Sequence, residues 1–145
     1  MIPRARLLAQ LAADIQRDAA AYRQLRRDLQ ALHASLLSCA GAATAAACAA
    51  LDAQLPALAQ RARRRGQVLQ ALGSAGGSEA VVRVLGELPA AVGSPLQTLW
   101  QALERDVDDC RRLNERNGLL LRSQSERVQE LLGGAAGPGI YAPGT

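Results

Sequence analysis

From Leu8 to Leu36 the apolar residues fall in alternating steps of three and four: Leu8, Leu11, Ile15, Tyr22, Leu25, Leu29, Leu32 and Leu36. That spacing keeps one side of an α-helix apolar over about eight turns, whereas a strand would need a period of two. Only Asp18 interrupts the stripe, and Ala19 beside it partly covers that turn, while Arg and Gln take the opposite face. A helix from about Pro3 to Ser38 is expected, with Pro3 tolerated in its first turn, and at 1.5 Å per residue it is a strut about 50 Å long. The supply of residues supports this reading. Ala, Leu, Arg and Gln are abundant, there is no Phe, and Tyr and Trp together number three, so the chain is rich in helix formers and poor in strand formers.

Residues 39–50 are nearly all small, with Gly41 as the expected break. A second stripe runs Leu51, Leu55, Leu58, Ala62, Leu69 and Leu72. Pro56 lies within it, so either the helix kinks there or its main body begins near Leu55. Gly73-Ser74-Ala75-Gly76-Gly77 is a breaker; it lacks the GK[ST] ending of a phosphate loop and no strand precedes it. Ser78 is expected to cap a short apolar helix through Val81, Val84 and Leu85 that Pro89 ends. For the last helix, Ser94-Pro95-Leu96-Gln97 reads as N-cap, Pro at the first helical position and a capping-box Gln. Its stripe is Trp100, Leu103, Val107, Cys110, Asn114, Asn117, Leu121, Gln124, Val128 and Leu131, and Gly133-Gly134 stops it. The expected fold is all-α: an elongated antiparallel bundle or coiled coil of three long helices plus one short helix. One helical domain, 1–134, precedes a Gly- and Pro-rich tail, 135–145, that carries Ile140-Tyr141 and is expected to be flexible.

At 145 residues the chain fits one domain, and aromatic residues at 2% leave little to line a small-molecule pocket. The net charge is +4 and all 17 basic residues are Arg. Runs at Arg23, Arg26, Arg27 and at Arg61, Arg63, Arg64, Arg65 raise the question of nucleic acid. Asp14, Asp18, Asp28 and Asp52 interleave with them and stacking aromatics are missing, so a solvated face is expected and no nucleic-acid partner. Cys39, Cys48 and Cys110 are too dispersed for zinc or a disulfide framework. The N-terminus leads into an amphipathic pattern with no apolar signal core, and the longest apolar run, Ala42 to Leu51, is short, mostly Ala and interrupted by Thr44, so no membrane insertion is expected. A cytoplasmic protein is the simplest expectation. His33 is the only histidine and borders the first stripe, which suits a polar packing role better than catalysis. Glu104, Asp106, Asp108 and Asp109 point to different helical faces and lack the Glu-x-x-His pairs of di-iron bundles. Neither an enzyme nor a cofactor or metal site is expected.

The last helix is apolar at both ends of its stripe and polar in the middle. Asn114 and Asn117 occupy seam positions and Gly118 follows, although burying an amide without a partner is costly and Gly inside a helix costs about 1 kcal/mol against Ala. Two explanations stand: the amides pair across helices and fix register, or the helix accepts a partner's helix here.

The segment Leu113-Asn114-Glu115-Arg116-Asn117-Gly118, followed by Leu119-Leu120-Leu121, resembles the L-N-x-x-N-G signature in the last long helix of the FlgN family of flagellar export chaperones. Ile140-Tyr141 is similar to that family's apolar-Tyr pair in the tail, and Arg65 to Gly73 resembles its R-x-x-L-L-x-x-L-G ending of the second helix. The order of helices agrees; the specific match covers roughly residues 100–141, and before Leu55 only pattern and length agree. The resemblance implies a cytoplasmic chaperone of type III export that binds C-terminal helical segments of hook–filament junction proteins and delivers them to the export gate. It implies Leu103, Val107, Cys110, Leu113, Leu120, Leu121 and Val128 as apolar client contacts, Asn114 and Asn117 as register-setting amides, Gly118 as a point of close approach, and Tyr141 as the gate-docking residue. The alternative is a homo-oligomeric structural coiled coil without a client.

Overall fold

The computed structural model describes residues 2–132. They form four helices: α1 (Arg4–Leu37), α2 (Gly41–Ala71), α3 (Ser78–Gly86) and α4 (Ala90–Leu131). At 1.5 Å per residue α1 is about 51 Å long and α4 about 63 Å. α1 packs along both α2 and α4, and α3 packs on α4, whereas α2 and α4 share no comparable interface. The all-α, elongated arrangement of three long helices and one short one is therefore as expected. Directions are now explicit. Asp14 meets Arg64 while Asp28 meets Gln54, so α2 runs antiparallel to α1. Tyr22 meets Cys110, Leu29 meets Asn117 and Leu36 meets Gln124, all 88 residues apart, so α4 runs parallel to α1 in a constant register.

The main core lies at the base. Leu7, Leu11 and Ile15 of α1 pack with Val68 and Leu69 of α2, the apolar face of α3, and Leu96, Trp100 and Leu103 of α4. Burial of each such side chain contributes about 1.5–3 kcal/mol. A smaller cluster of Leu25, Leu29, Leu58 and Cys110 continues up the bundle, with Leu51 and Leu113 against it. α3 approaches α4 closely: Gly93 is buried, and a Cβ there would collide with the Leu85 carbonyl, so only glycine fits.

Helix ends differ from several expectations. The first break is Ser38–Ala40, with Gly41 opening α2; Cys39 is left-handed (φ 54°). Ala40 N–H donates to Ser35 O and Cys39 N–H to Leu36 O, a Schellman turn with cysteine where glycine is usual. Gly73 (φ 72°) closes α2 in the same way, with Ser74 N–H on Leu69 O and Gly73 N–H on Gln70 O. Pro56 lies inside a continuous α2 and is exposed, so the carbonyl it cannot pair opens toward water. Ser78 is the first residue of α3 and not its cap: its hydroxyl donates to Glu104 and accepts from Trp100 Nε1. α4 begins after Pro89, not at Ser94. Pro89 O accepts from Val92 and Gly93, and this extra turn is held by the Gly93 packing, which leaves Pro95 inside the helix.

The reading of the Arg runs is corrected in part: Arg23, Arg27 and Arg63 are exposed, as expected of a solvated face, but the other four are not free of partners. Asp14 and Asp18 are 1% and 2% exposed on the face of α1 that meets α2. Arg64 grips Asp14 with two bonds of 2.6 and 2.7 Å, while Arg61 and Arg65 both donate to Asp18. Arg65 also lies 5.3 Å over the Trp100 ring, and Arg26 bonds Asp106 across α1 and α4 at 2.7 Å. These arginines neutralise carboxylates taken out of water; they are not a solvated face. Of the acidic group on α4, Glu104, Asp106 and Asp109 likewise have partners on other helices. Joined into one helix, the Ala-rich half of α2 reaches a mean hydropathy of 1.3 over 18 residues, of which 6% is buried, so by length and composition alone it could cross a membrane. The shorter run considered in the sequence missed this, because the helix continues through Pro56.

Removing one carboxylate from the network leaves its arginine without a counter-ion. Asp14→Ala is expected to lower the urea midpoint clearly, whereas Asp52→Ala, at an exposed position, changes stability by less than about 0.5 kcal/mol.

Candidate functional site: a groove between the second and fourth helices

Because α2 and α4 each pack on α1 and make few backbone approaches to one another, meeting through side chains in the base core, at Arg65 over Trp100 and around Leu58 and Cys110, the bundle is open along part of its length above its base. The opening is an apolar groove of about 440 Å³. Its floor is α1, with Tyr22, Leu25, Leu29 and Leu32; one wall is α2, with Cys48, Leu51, Asp52 and Leu55. The other wall is α4, with Val107, Cys110, Arg111, Asn114 and Leu121. A second concavity continues it toward the end of α4, between Gly41 and Thr44 on one side and Gln124, Val128 and Leu131 on the other.

The single stripe of α4 divides into two. Leu103, Cys110, Asn117 and Gln124, seven residues apart, face α1. Leu103 is sealed in the base core. Above it three polar side chains donate in turn to α1 carbonyls: Cys110 Sγ to Tyr22 O (3.7 Å), Asn117 Nδ2 to Leu29 O (2.9 Å) and Gln124 Nε2 to Leu36 O (2.6 Å). Asn117 is 1% exposed, and its Oδ1 lies 3.1 Å from His33 Nδ1, which donates in the Nδ1–H tautomer. His33 thus fills the polar packing role expected of it. Val107, Asn114, Leu121 and Val128, also seven apart, face the openings.

The residues singled out by sequence therefore separate. Val107, Asn114 and Leu121 meet in the groove, Cys110 lines the same wall deeper down against α1, and Val128 lies in the second concavity. Leu103 and Asn117 are buried in helix packing, and Leu113 packs against the smaller core cluster. Leu120 is half-buried and outside the lining of both openings. The two amides have different tasks: Asn117 fixes register, whereas Asn114 is exposed and makes no hydrogen bond to the described residues. A Cβ at Gly118 would meet nothing within 4 Å, so no neighbour among the described residues requires glycine there. Tyr141 lies outside the described residues. Sequence reasoning missed the contributions of α1 and α2. Leu25, Leu29, Leu51 and Leu55 were legible as helix seams, but which part of each seam stays uncovered was not.

Burial, with Asp106 adding to it, raises the Cys110 thiol from its ordinary 9.0 to about 11, so it stays protonated and able to donate. Burial and then Asp18 also raise Tyr22. Among the described residues no cluster of His, Cys, Asp or Glu could hold a metal ion.

Two measurements follow from this geometry. Asn117→Ala should cost about 2 kcal/mol and speed amide exchange in α4 beyond Cys110, while Asn114→Ala leaves stability within about 0.5 kcal/mol. The raised thiol predicts a contribution to stability that is complete below pH 9 and lost as pH rises through about 11. Denaturation between pH 8 and 11 should show the wild type losing stability faster than Cys110→Ala, which lacks this one thiol and is otherwise the same.

Nothing matches this chain among curated proteins or among solved structures. The family model described as FlgN protein matches residues 1–134, which spans all four helices and both openings. The chain belongs to the FlgN family.

Proposed function

We infer that this protein is a cytoplasmic flagellar export chaperone that takes C-terminal helical segments of hook–filament junction proteins into the groove between α2 and α4. Membership of the family supports a role in flagellar export in general. The observation that carries the finer reading is the division of the α4 stripe. Val107, Asn114, Leu121 and Val128 continue the heptad spacing of a helix seam, yet among the described residues no helix covers them above the base. Junction proteins with amphipathic ends would supply the missing helix, which is a recurrent mode of recognition. Delivery to the export gate is assigned to the tail, with Tyr141 as a single aromatic anchor suited to weak, reversible docking. Packing of α2 along α1 through buried ion pairs favours a soluble bundle over membrane insertion.

The competing reading is a structural homo-oligomer, favoured by the long exposed apolar face of α2. Calorimetric titration with the C-terminal segment of a junction protein separates the two. Saturable binding at micromolar or tighter affinity is expected, with at least a tenfold loss in Leu121→Asp at unchanged helicity. Gly118→Ala should raise stability by up to about 1 kcal/mol, and weaken client binding if the open space beside it is where a client's backbone comes close. No binding, together with a stable dimer in sedimentation, would replace the chaperone with the structural coiled coil.

A further inference from the structure

The two walls of the groove differ in charge. Between Gly41 and Gln60 the only charged residue of α2 is Asp52, and it lies on the groove lining. The other carboxylates of α1, α2 and α4 that line a helix–helix seam are matched: Asp14 and Asp18 by arginines, Asp28 by Gln54, Asp106 and Asp109 by Arg26. Asp52 makes no ion pair or hydrogen bond to any described residue. Pro56, one turn later, has no amide proton for the Asp52 carbonyl, so this turn presents acceptors in both side chain and backbone. On the facing wall Arg111 lines the same groove, and its one ion pair is a long 3.5 Å contact with Asp108, one turn away, in which both side chains are more than half exposed. An acidic wall thus faces a basic one across an apolar floor.

Resting on the reading of this groove as the client site, we propose that its occupant is an amphipathic α-helix with a basic flank against Asp52 of α2 and an acidic flank against Arg111 of α4, and that these two residues fix its direction. Helical form follows from the walls, which are helices whose main-chain groups, save the one Asp52 carbonyl, pair within the helix and offer no edge to an extended strand. The openings give its length. From Val107 to Leu121 the α4 wall spans about 21 Å, and to Leu131 about 36 Å, so the occupant has about 14 to 24 helical residues. The many Ala of the α2 wall let it approach at the short end of the usual 8–10 Å interhelical distance. Direction follows from symmetry. A helix laid apolar face down exchanges its flanks when turned end for end, so unlike walls accept one direction and oppose the other.

The test uses three synthetic helical peptides with one Leu stripe: one basic and one acidic flank, both flanks acidic, and both flanks basic. Titrated into the full-length protein at low salt, the mixed peptide should bind about three- to fivefold more tightly than either other, with the preference fading at high salt. Asp52→Arg should shift the preference to the doubly acidic peptide and Arg111→Glu to the doubly basic one. Both positions are exposed, and unchanged melting temperatures would show that the variants fold. An unchanged rank order in wild type and both variants overturns the charge assignment. The junction-protein segment, run in parallel, separates the two levels: if it binds wild type and fails on Leu121→Asp while the peptide ranks stay flat, the groove stands and the charge reading falls. If neither the segment nor any peptide binds, both fall.

Discussion

Everything above the base of this bundle hangs on α1, which is gripped on two sides by different polar devices. On one side Asp14 and Asp18, buried, are held by Arg61, Arg64 and Arg65 of α2. On the other side Cys110, Asn117 and Gln124 of α4 reach the carbonyls of Tyr22, Leu29 and Leu36. Each device fixes one neighbour relative to α1, and only Arg65, over Trp100, reaches from one device to the other neighbour. The groove is the space left by two helices that share a partner but meet one another only through a few side chains.

Both devices trade stability for specificity. Ion pairs withdrawn from water return little net stability compared with apolar packing, but a slipped register would leave Asp14 and Asp18 charged, buried and unpaired, which is far worse. The α4 ladder acts likewise. Asn117 and Gln124 can satisfy their amides only at a separation of 88 residues from α1, so an apolar seam that would tolerate sliding is pinned at heptad intervals. Burial concentrates at the base, where α3, Trp100 and Leu103 close the core, and the upper half is held by these polar contacts and a small cluster around Leu25, Leu58 and Cys110.

That division suits a chaperone. A firm base keeps the helices aligned, while the upper seam of α4 stays available without unfolding anything. The walls offer apolar contact through Leu51, Leu55, Val107 and Leu121, with charge confined to the rim at Asp52 and Arg111. On the proposed reading of the groove, specificity would come from rim charge and affinity from the apolar floor, and the two could be tuned separately.

The sequence by itself determined the helices and the family. Three-four spacing is a local property of a chain winding at 3.6 residues per turn, so the stripes of α1 and α4 and the breaker at Gly73–Gly77 were legible residue by residue. Helix ends were less so, because the Gly93 contact with α3 extended α4 back past Ser94, and exposure let Pro56 remain inside α2. Only the tertiary structure decided which residues along each stripe are covered. Asn114 and Asn117 look alike in sequence, yet one rotates into α1 and the other into the groove, since a three-residue step turns a helix by about 300°. Asp18 read as a flaw in an apolar stripe until Arg61 and Arg65, 43 and 47 residues away, were brought beside it. Charge neutralisation at such distances leaves no local mark, and neither does the absence of a covering helix.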